Sequence, residues 1–255
     1  MIFSNLYKNI FKRHLSGMLC KNAAPAELSI RNVPDTMVSF KKLREKGFNP
    51  SVIIDCGAYE GEWTQEIKRI FPGSKILLIE ALPEKEEYLA KIKMKYHDAD
   101  YEIALLGACN AEAVKFYSMN TGSSVFEEQS NASRRVISLP MKTLDQIVSA
   151  RKINKISLLK LDVQGSEIEV LKGGLSALRS SDVVLLECSF LQYNKGAPIF
   201  NDVVGFMASQ GFFIYDIGSL FRWKGSALIQ ADIIFVREDS DLRQQYFNFR
   251  PDVKK

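Results

Sequence analysis

Four short apolar runs in this sequence each end in an acidic residue, and segments of helical length alternate with such runs. Apolar runs without polar alternation are typical of parallel strands that are buried on both faces of a sheet. Strands separated by helices are joined by right-handed crossovers, so the sequence predicts an α/β fold with a doubly wound, mostly parallel sheet. Open sheets of this kind bind ligands at the carboxyl ends of their strands. The acids predicted to lie at that edge are Asp55, Glu80, Asp162 and Glu187.

The C-terminal part departs from this alternation. Predicted strands at 211–217 and 229–236 have no segment of helical length between them, and residues 218–228 are predicted to form a long hairpin loop. The connection therefore predicts an antiparallel last strand. The other predicted elements are strands at 101–106, 114–118 and 136–139, a helix ending at Phe71, and helices at 83–96, 167–178 and 200–210.

The positive charge of the chain is concentrated at its N-terminus. The formal net charge is +4 at pH 7, and residues 1–24 contain four basic residues and no acid. Residues 1–35 are predicted to form an amphipathic basic helical segment, residues 36–238 one domain, and residues 239–255 a polar tail. Two interpretations of the first segment stay open: a helix that packs on the domain, or a helix that lies on an anionic membrane surface. The near-neutral remainder disfavours nucleic acid as a partner, because nucleic-acid binders usually carry a basic face.

Cysteine and histidine usage limits the chemistry. The four cysteines form no CxxC pair, which argues against a structural zinc site or a disulfide framework and favours a reducing, cytoplasmic location. If the basic N-terminal segment binds a membrane, the protein is expected at the inner, cytoplasmic face of that membrane. His14 and His97 lie in the basic segment and in a polar loop, so a histidine base or metal ligand is not expected. Proton transfer then depends on carboxylates, lysine or tyrosine.

A glycine-containing turn follows the first of the four runs. Gly57 allows a tight turn after Asp55, and Gly61 allows a ligand or a helix to approach closely. Glu80 lies 25 residues after Asp55, where a carboxylate can accept both hydroxyls of a ribose. An acid before the first glycine would repel a pyrophosphate but would favour the cationic end of S-adenosylmethionine. The turn therefore favours methyl transfer over hydride transfer.

A second chemical block runs from Lys160 to Glu167. Asp162 ends a strand expected beside the first one, and Glu167 begins the next helix as either a cap or a site residue. Asp162 is the candidate general base, assisted by Glu187 or Lys160. A divalent ion held by Asp162 and Glu187 is compatible with the sequence, but no ligand spacing demands one.

Several segments, taken in order and spacing, resemble the FkbM family of methyltransferases. The resemblance covers about residues 38–237, and its most specific motif is the Lys-x-Asp-x-x-Gly-x-Glu block at 160–167. The sequence departs from the family at Cys56, where a small aliphatic residue is usual, and at Tyr59, where Asn is common. The segments that carry the resemblance are residues 54–64, 78–83, 121–125, 144–145 and 159–173.

This resemblance implies a class I methyltransferase (Rossmann-like) fold with S-adenosylmethionine as the methyl donor. By position, it implies that Asp55, Gly57 and Gly61 line the methionine part of the cofactor and that Glu80 binds its ribose. It places Ala104 and Leu105 near the adenine, and Asp162 near the transferred methyl group. The predicted cofactor-binding residues further include Ala58, Tyr59, Thr64 and Ala81.

The predicted function is O-methyl transfer to a hydroxyl of a sugar, a glycan or a related small acceptor. Two alternatives stay open: a nicotinamide-dependent dehydrogenase on a similar sheet, and a catalytically silent binding module. Segments 118–135 and 218–228 are predicted to shape the acceptor pocket, the second through Phe221, Arg222 and Trp223.

Overall fold

A computed structural model describes residues 34–119, 122–129, 134–222 and 227–243. Two sheets and seven α-helices lie within these residues. The helices are α1 (Thr36–Glu45), α2 (Glu62–Ile70), α3 (Glu86–Lys95), α4 (Leu144–Ala150), α5 (Glu167–Lys172), α6 (Leu175–Arg179) and α7 (Phe200–Ser209). The strands are β1 (Val52–Cys56), β2 (Lys75–Glu80), β3 (Ala99–Ile103), β4 (Leu105–Leu106), β5 (Ala111–Ser118), β6 (Arg135–Lys142), β7 (Ile156–Leu161), β8 (Ser181–Ser189), β9 (Phe212–Arg222) and β10 (Leu228–Arg237).

The main sheet has seven strands in the order β3-β2-β1-β7-β8-β10-β9. Neighbours from β3 through β8 pair in parallel, whereas β10 pairs antiparallel with both β8 and β9. The predicted doubly wound, mostly parallel sheet with an antiparallel last strand is therefore confirmed. The strand order reverses between β1 and β7, and such a switch point opens a crevice at the carboxyl edge of the sheet.

The strands of the main sheet separate two apolar cores. On β1, Ile54 and Cys56 face one core, which α4 to α7 cover. Ile53 faces the other core, which α1 to α3 cover. Successive side chains of a strand point to opposite faces, so a short apolar run fills both cores at once.

The predicted strand at 101–106 is wrong in one respect, because it is divided between two sheets. The strand β3 ends at Ile103, and Leu105 then pairs with Met141 of β6 in a three-stranded sheet of order β4-β6-β5. The chain leaves the main sheet here because Leu105 packs with Leu82 and Phe116 in a small core of its own.

Two other predicted boundaries also need correction. The predicted helix at 167–178 is interrupted at Gly173, where an added Cβ would lie 2.1 Å from the carbonyl oxygen of Gly107. The predicted hairpin loop at 218–228 is shorter than expected, because β9 continues to Arg222 and pairs with β10 through Leu220 and Phe221. Trp223 lies outside the described residues.

The predicted N-terminal helical segment also lies outside the described residues, apart from its last two positions, as does the tail beyond residue 243. The predictions for these two segments therefore stay predictions. Among the helices that the structure describes, none is both long and apolar enough to cross a membrane.

Candidate functional site

An open cleft lies at the carboxyl ends of β1, β2 and β7, where the strand order reverses. Its walls combine apolar side chains with a few polar groups. The lining residues are Gly57, Tyr59, Ile79, Glu80, Ala81, Ala104, Leu105, Leu106, Phe116, Ser123, Asp162, Val163, Gln164 and Ser166.

Glu80 is the buried acid at one end of this cleft. Its Oε2 accepts a hydrogen bond from the backbone N–H of Tyr59 at 2.8 Å, and its Oε1 accepts one from the N–H of Leu82 at 2.9 Å. Burial raises the pKa of the Glu80 carboxyl, and these two N–H donors oppose that effect. Each oxygen keeps a lone pair beyond these bonds, so the carboxylate can also accept the two hydroxyls of a ribose.

Tyr59 adopts a left-handed backbone conformation, with a φ of 50°. Asn tolerates such a conformation better than other non-glycine residues do. This preference explains why Asn is common at the position. In this chain the ammonium of Lys85 lies 3.8 Å from the centre of the Tyr59 ring. Glu60 Oε1 pairs with the same ammonium at 2.7 Å.

Asp55 lies behind the cleft rather than in its wall. It is fully buried, and its two oxygens accept hydrogen bonds from Thr64 Oγ1 at 2.7 Å and from Lys160 Nζ at 2.9 Å. Lys160 Nζ also donates to the carbonyl oxygen of Gly57 at 3.2 Å. The trio of Asp55, Thr64 and Lys160 therefore holds the turn after β1 in place from beneath.

Lys160 is a fixed cation in this arrangement. Burial by itself lowers the pKa of its ammonium, but the negative charges of Asp55 and Asp162 outweigh burial and raise that pKa above its ordinary value. Its Nζ lies 3.7 Å from Asp162 Oδ2. Lys160, predicted to assist catalysis, thus lies where it can orient Asp162 by charge but cannot take up a proton itself.

The two glycines of the turn meet different neighbours. An added Cβ at Gly57, where φ is 75°, would lie 1.9 Å from the carbonyl oxygen of Asp162. An added Cβ at Gly61, also at a φ of 75°, would lie 2.7 Å from Ile92 Cγ1 of α3. Gly57 therefore lets the ends of β1 and β7 approach each other, and Gly61 lets two helices approach on the far side.

The predicted cofactor-binding residues fall into two groups. Those that line the cleft are Gly57, Tyr59, Glu80, Ala81, Ala104 and Leu105. The structure places the others behind its wall, where they support the turn or pack in the core. These are Asp55, Ala58, Gly61 and Thr64.

Asp162 and Glu187, the predicted catalytic acids, are joined through a single amide. Gln164 Nε2 donates to Asp162 Oδ1 at 2.9 Å and to Glu187 Oε2 at 2.8 Å. Asp162 faces the cleft with its side chain 38% exposed. Burial, and then the charge of Asp162, raise the pKa of Glu187 well above its usual range.

Two polar residues near this pair of acids, Asp232 and Gln164, were not predicted as site residues. Asp232 lies opposite Glu187 in the pairing of β10 with β8, and burial followed by the charge of Asp162 raises its pKa. A lone acid inside an apolar strand was the available signal. Gln164 lies within the recognised 160–167 block, but nothing in the sequence indicates which side chains it joins.

The carboxylates of Asp162 and Glu187 are those that the sequence allowed as ligands of a divalent ion. Within the parts of the chain that the structure describes, no group of three or more His, Cys, Asp or Glu side chains is placed to hold a metal ion. One oxygen of Asp162 and one of Glu187 are bridged by the Gln164 amide.

Glu167 is buried beneath the turn at the end of β7. Its Oε1 accepts hydrogen bonds from the N–H groups of Val163 at 3.1 Å and Gly165 at 3.2 Å, so it holds the turn that carries Gln164. Burial raises the pKa of Glu167 from its usual 4.5 to about 7, although the N–H donors oppose the shift. Glu167 begins α5 and stabilises the turn before it, and it is not among the residues that line the cleft.

This shift makes the stability of the protein depend on pH. Because the unfolded chain loses the Glu167 proton near pH 4.5 and the folded chain near pH 7, folding binds a proton between these values. The stabilisation is complete below pH 4.5 and is lost as the pH rises to 7, by about 3 kcal/mol. Urea unfolding of wild type and Glu167→Gln should therefore show a free-energy difference that changes by that amount across the window. A difference that stays constant with pH would contradict the burial of an ionisable Glu167.

The predicted acceptor segments reach the cleft unequally. Ser123 lines it, and Ser124 Oγ donates to the carbonyl oxygen of Gln164 at 2.8 Å. Phe221 and Arg222, at the end of β9, are not among the residues that line the cleft. The first segment therefore borders the cleft, while the place of the second in an acceptor pocket stays a prediction.

Residues 55–214, more than half of the chain, match the family model described as Methyltransferase FkbM domain. No curated protein sequence matches the chain significantly.

Solved structures give more distant likenesses. A methyltransferase FkbM from Methylobacillus flagellatus KT is 15% identical with a TM-score of 0.46, over 72% of this chain and 43% of that longer one. A precorrin-6y C5,15-methyltransferase from Geobacter metallireducens GS-15 is 11% identical with a TM-score of 0.45, over 85% of this chain and 93% of that one. The bifunctional kinase-methyltransferase WbdD is 10% identical with a TM-score of 0.46, over 79% of this chain and 38% of that one. At these levels of similarity, the fold class rests on the strand order and the family match.

Proposed function

This chain belongs to the FkbM family of methyltransferases, and from that premise we propose that it methylates a hydroxyl oxygen of a sugar, a glycan or a related small acceptor. The family implies S-adenosylmethionine as the methyl donor. The observation that supports an oxygen acceptor is Asp162, a partly exposed carboxylate that faces the cleft beside a fixed cation. A hydroxyl loses its proton far above neutral pH, so a base at this point assists its attack.

The residues of the cleft fit the donor. Glu80 offers lone pairs to a ribose at one end. Apolar side chains beside it, those of Ala81, Leu105 and Phe116, form a slot suited to a flat base. When bound, S-adenosylmethionine supplies an electrophilic methyl group on a positively charged sulfur.

Three acids near the cleft provide the negative charge that a site for a cationic sulfur needs. Asp162, Glu187 and Asp232 lie close enough to affect one another's ionisation, and this surrounding favours a cationic sulfur over an anionic group. Asp162 accepts the acceptor's proton, and Lys160, whose Nζ lies 3.7 Å from Asp162 Oδ2, orients the carboxylate from behind. The walls of the cleft would hold donor and acceptor together, and such positioning supplies much of the rate in transfer reactions.

Replacing Glu80 tests the donor site. Glu80→Ala should weaken binding of S-adenosylhomocysteine by about 1–3 kcal/mol, because charge-assisted hydrogen bonds to the ribose are lost. Calorimetry on wild type and variant measures the effect. Glu84→Ala, which changes an exposed glutamate in the turn after β2, is the matched control and should bind normally. Wild type that ignores S-adenosylhomocysteine, or that prefers NADH, would contradict the donor assignment and favour the dehydrogenase alternative.

A labelling experiment tests the acceptor. The protein is incubated with S-adenosylmethionine carrying a labelled methyl group and with neutral glycosides, oligosaccharides or a glycan extract. The expected product is a carbohydrate whose label survives mild alkali, because methyl ethers are stable there and methyl esters are not. Label that is released by alkali, or that is found on nitrogen, would contradict O-methylation. A protein that binds the donor and labels nothing across these acceptors would support the silent binding module instead.

A further inference from the structure

We propose that Gln164 is a positioning residue that fixes the carboxylate of Asp162 for proton transfer, an inference that rests on the proposed function. Gln164 lines the cleft with Asp162, and it contacts Asp162 Oδ1, whereas the buried Lys160 lies near Oδ2. Nothing in its own chemistry can accept a proton from a hydroxyl. Its contribution lies in the hydrogen bonds that its amide makes.

The amide nitrogen of Gln164 uses both of its hydrogens on carboxylates. One hydrogen bond reaches Asp162 Oδ1 at 2.9 Å and the other reaches Glu187 Oε2 at 2.8 Å. The bridge holds two like-charged groups at a fixed separation and offsets part of their repulsion. Asp162 Oδ2 is then the oxygen that stays open towards Lys160 and the cleft.

A closed ring of hydrogen bonds sets the direction of this amide. Tyr193 Oη donates to Gln164 Oε1 at 3.3 Å, so the nitrogen of Gln164 must face the acids. Gln230 Nε2 donates to Tyr193 Oη at 2.7 Å and to Glu187 Oε2 at 2.8 Å. Every step of the ring has a donor and an acceptor, and a flipped Gln164 amide would place its oxygen against two carboxylates.

The backbone of Gln164 is also held in a costly conformation. Its φ is 53°, in the left-handed region, which a non-glycine residue adopts only when its surroundings enforce it. Its carbonyl oxygen accepts hydrogen bonds from Ser124 Oγ at 2.8 Å and Asn194 Nδ2 at 2.9 Å. Ser124 follows Ser123, which lines the cleft. The strain and its two restraints are those of a residue whose place is specified by function.

Charged groups face Asp162 from several elements, and Gln164 acts among them. Lys160 of β7 lies behind it, with Asp55 of β1 as the partner of that lysine. Glu187 of β8, Asp232 of β10 and Glu167 of α5 are the other acids that interact with its charge. Loss of the Gln164 donors leaves these repulsions less opposed, so Asp162 should hold its proton to higher pH.

Carbon-13 NMR of protein labelled at the aspartate carboxyl tests this inference without an acceptor. Asp162→Asn assigns the resonance, and S-adenosylhomocysteine is added as the probe ligand. In Gln164→Met, the titration midpoint of Asp162 should lie above that of the wild type, since a hydrogen bond to the charged form is lost. Gln146→Met, which changes an exposed glutamine in α4, is the matched control and should leave the midpoint where it is. An unchanged midpoint in Gln164→Met overturns the inference.

Tyr193→Phe gives a second and gentler perturbation, and it decides the matter if Gln164→Met does not fold. It removes only the hydroxyl that orients the amide, so the midpoint should rise in the same direction by a smaller amount. A midpoint equal to that of the wild type in Tyr193→Phe, with Gln164→Met unfolded, also overturns the inference.

Turnover separates this inference from the proposed function. With the acceptor that wild type labels, Gln164→Met should lower kcat by about 10–100-fold, part of the worth of a general base, and leave affinity for S-adenosylhomocysteine within about twofold. Equal kcat in the two proteins contradicts positioning. If wild type methylates no hydroxyl, the proposed function fails, while the NMR result still decides whether Gln164 sets the ionisation of Asp162.

Discussion

Asp162→Asn should keep the fold and lower turnover by about 10²–10⁴-fold, the usual worth of a general base. Asn nearly preserves the shape of the side chain and removes its charge. The Asp162 side chain is partly exposed at the cleft and accepts a hydrogen bond from the Gln164 amide. Little of the folding free energy therefore depends on its charge. Steady-state methyl transfer at saturating donor measures the effect.

Controls for this variant separate chemistry from binding. Calorimetry should show that Asp162→Asn binds S-adenosylhomocysteine nearly as wild type does. Asp182→Asn changes a partly exposed aspartate on β8 that pairs with Lys155, and it should turn over normally. If Asp162→Asn binds the donor poorly but turns over normally at saturation, Asp162 is a donor ligand only, and Glu187 becomes the candidate base.

EDTA distinguishes two ways in which Asp162 could act. A carboxylate that takes the proton directly predicts unchanged turnover after EDTA treatment of the wild type. An ion held between Asp162 and Glu187 predicts a loss that added divalent metal restores. The amide bridge between these carboxylates favours the first result.

Lys160→Met should destabilise the protein by about 3–5 kcal/mol, because it leaves a buried charge without its partner. Asp55 is fully buried, and its remaining hydrogen bond comes from the neutral hydroxyl of Thr64. The free energy of unfolding in urea measures the loss. A change of this size is a large part of the stability of an ordinary domain.

Two further variants make this measurement specific. Lys172→Met breaks an exposed pair with Glu169 and should cost no more than about 1 kcal/mol. The double variant Asp55→Asn, Lys160→Met removes both buried charges and should recover part of the loss. If Lys160→Met is as stable as Lys172→Met, the buried pair does not hold the turn after β1.

The sequence by itself determined the architecture and the edge at which the site lies. Unbroken apolar runs fill the cores on both faces of a sheet, so the parallel strands and the acids near their carboxyl ends could be predicted from local pattern. The block from Lys160 to Glu167 identified the family, because its residue types and spacing are specific. Gly57 was predicted to turn tightly, and its left-handed conformation confirms this.

Only the tertiary structure decided which polar groups meet. Asp232 faces Glu187 because β10 is inserted antiparallel between β8 and β9, and the register of that pairing depends on the whole sheet. The partners of Gln164 and the pairing of Asp55 with Lys160 likewise join residues from separate strands and loops. Each contact is set by strand register and burial, and neither quantity is encoded in the neighbouring residues along the chain. The sequence could therefore place the acids at one edge, whereas the fold alone determined which of them are buried, bridged or open to the cleft.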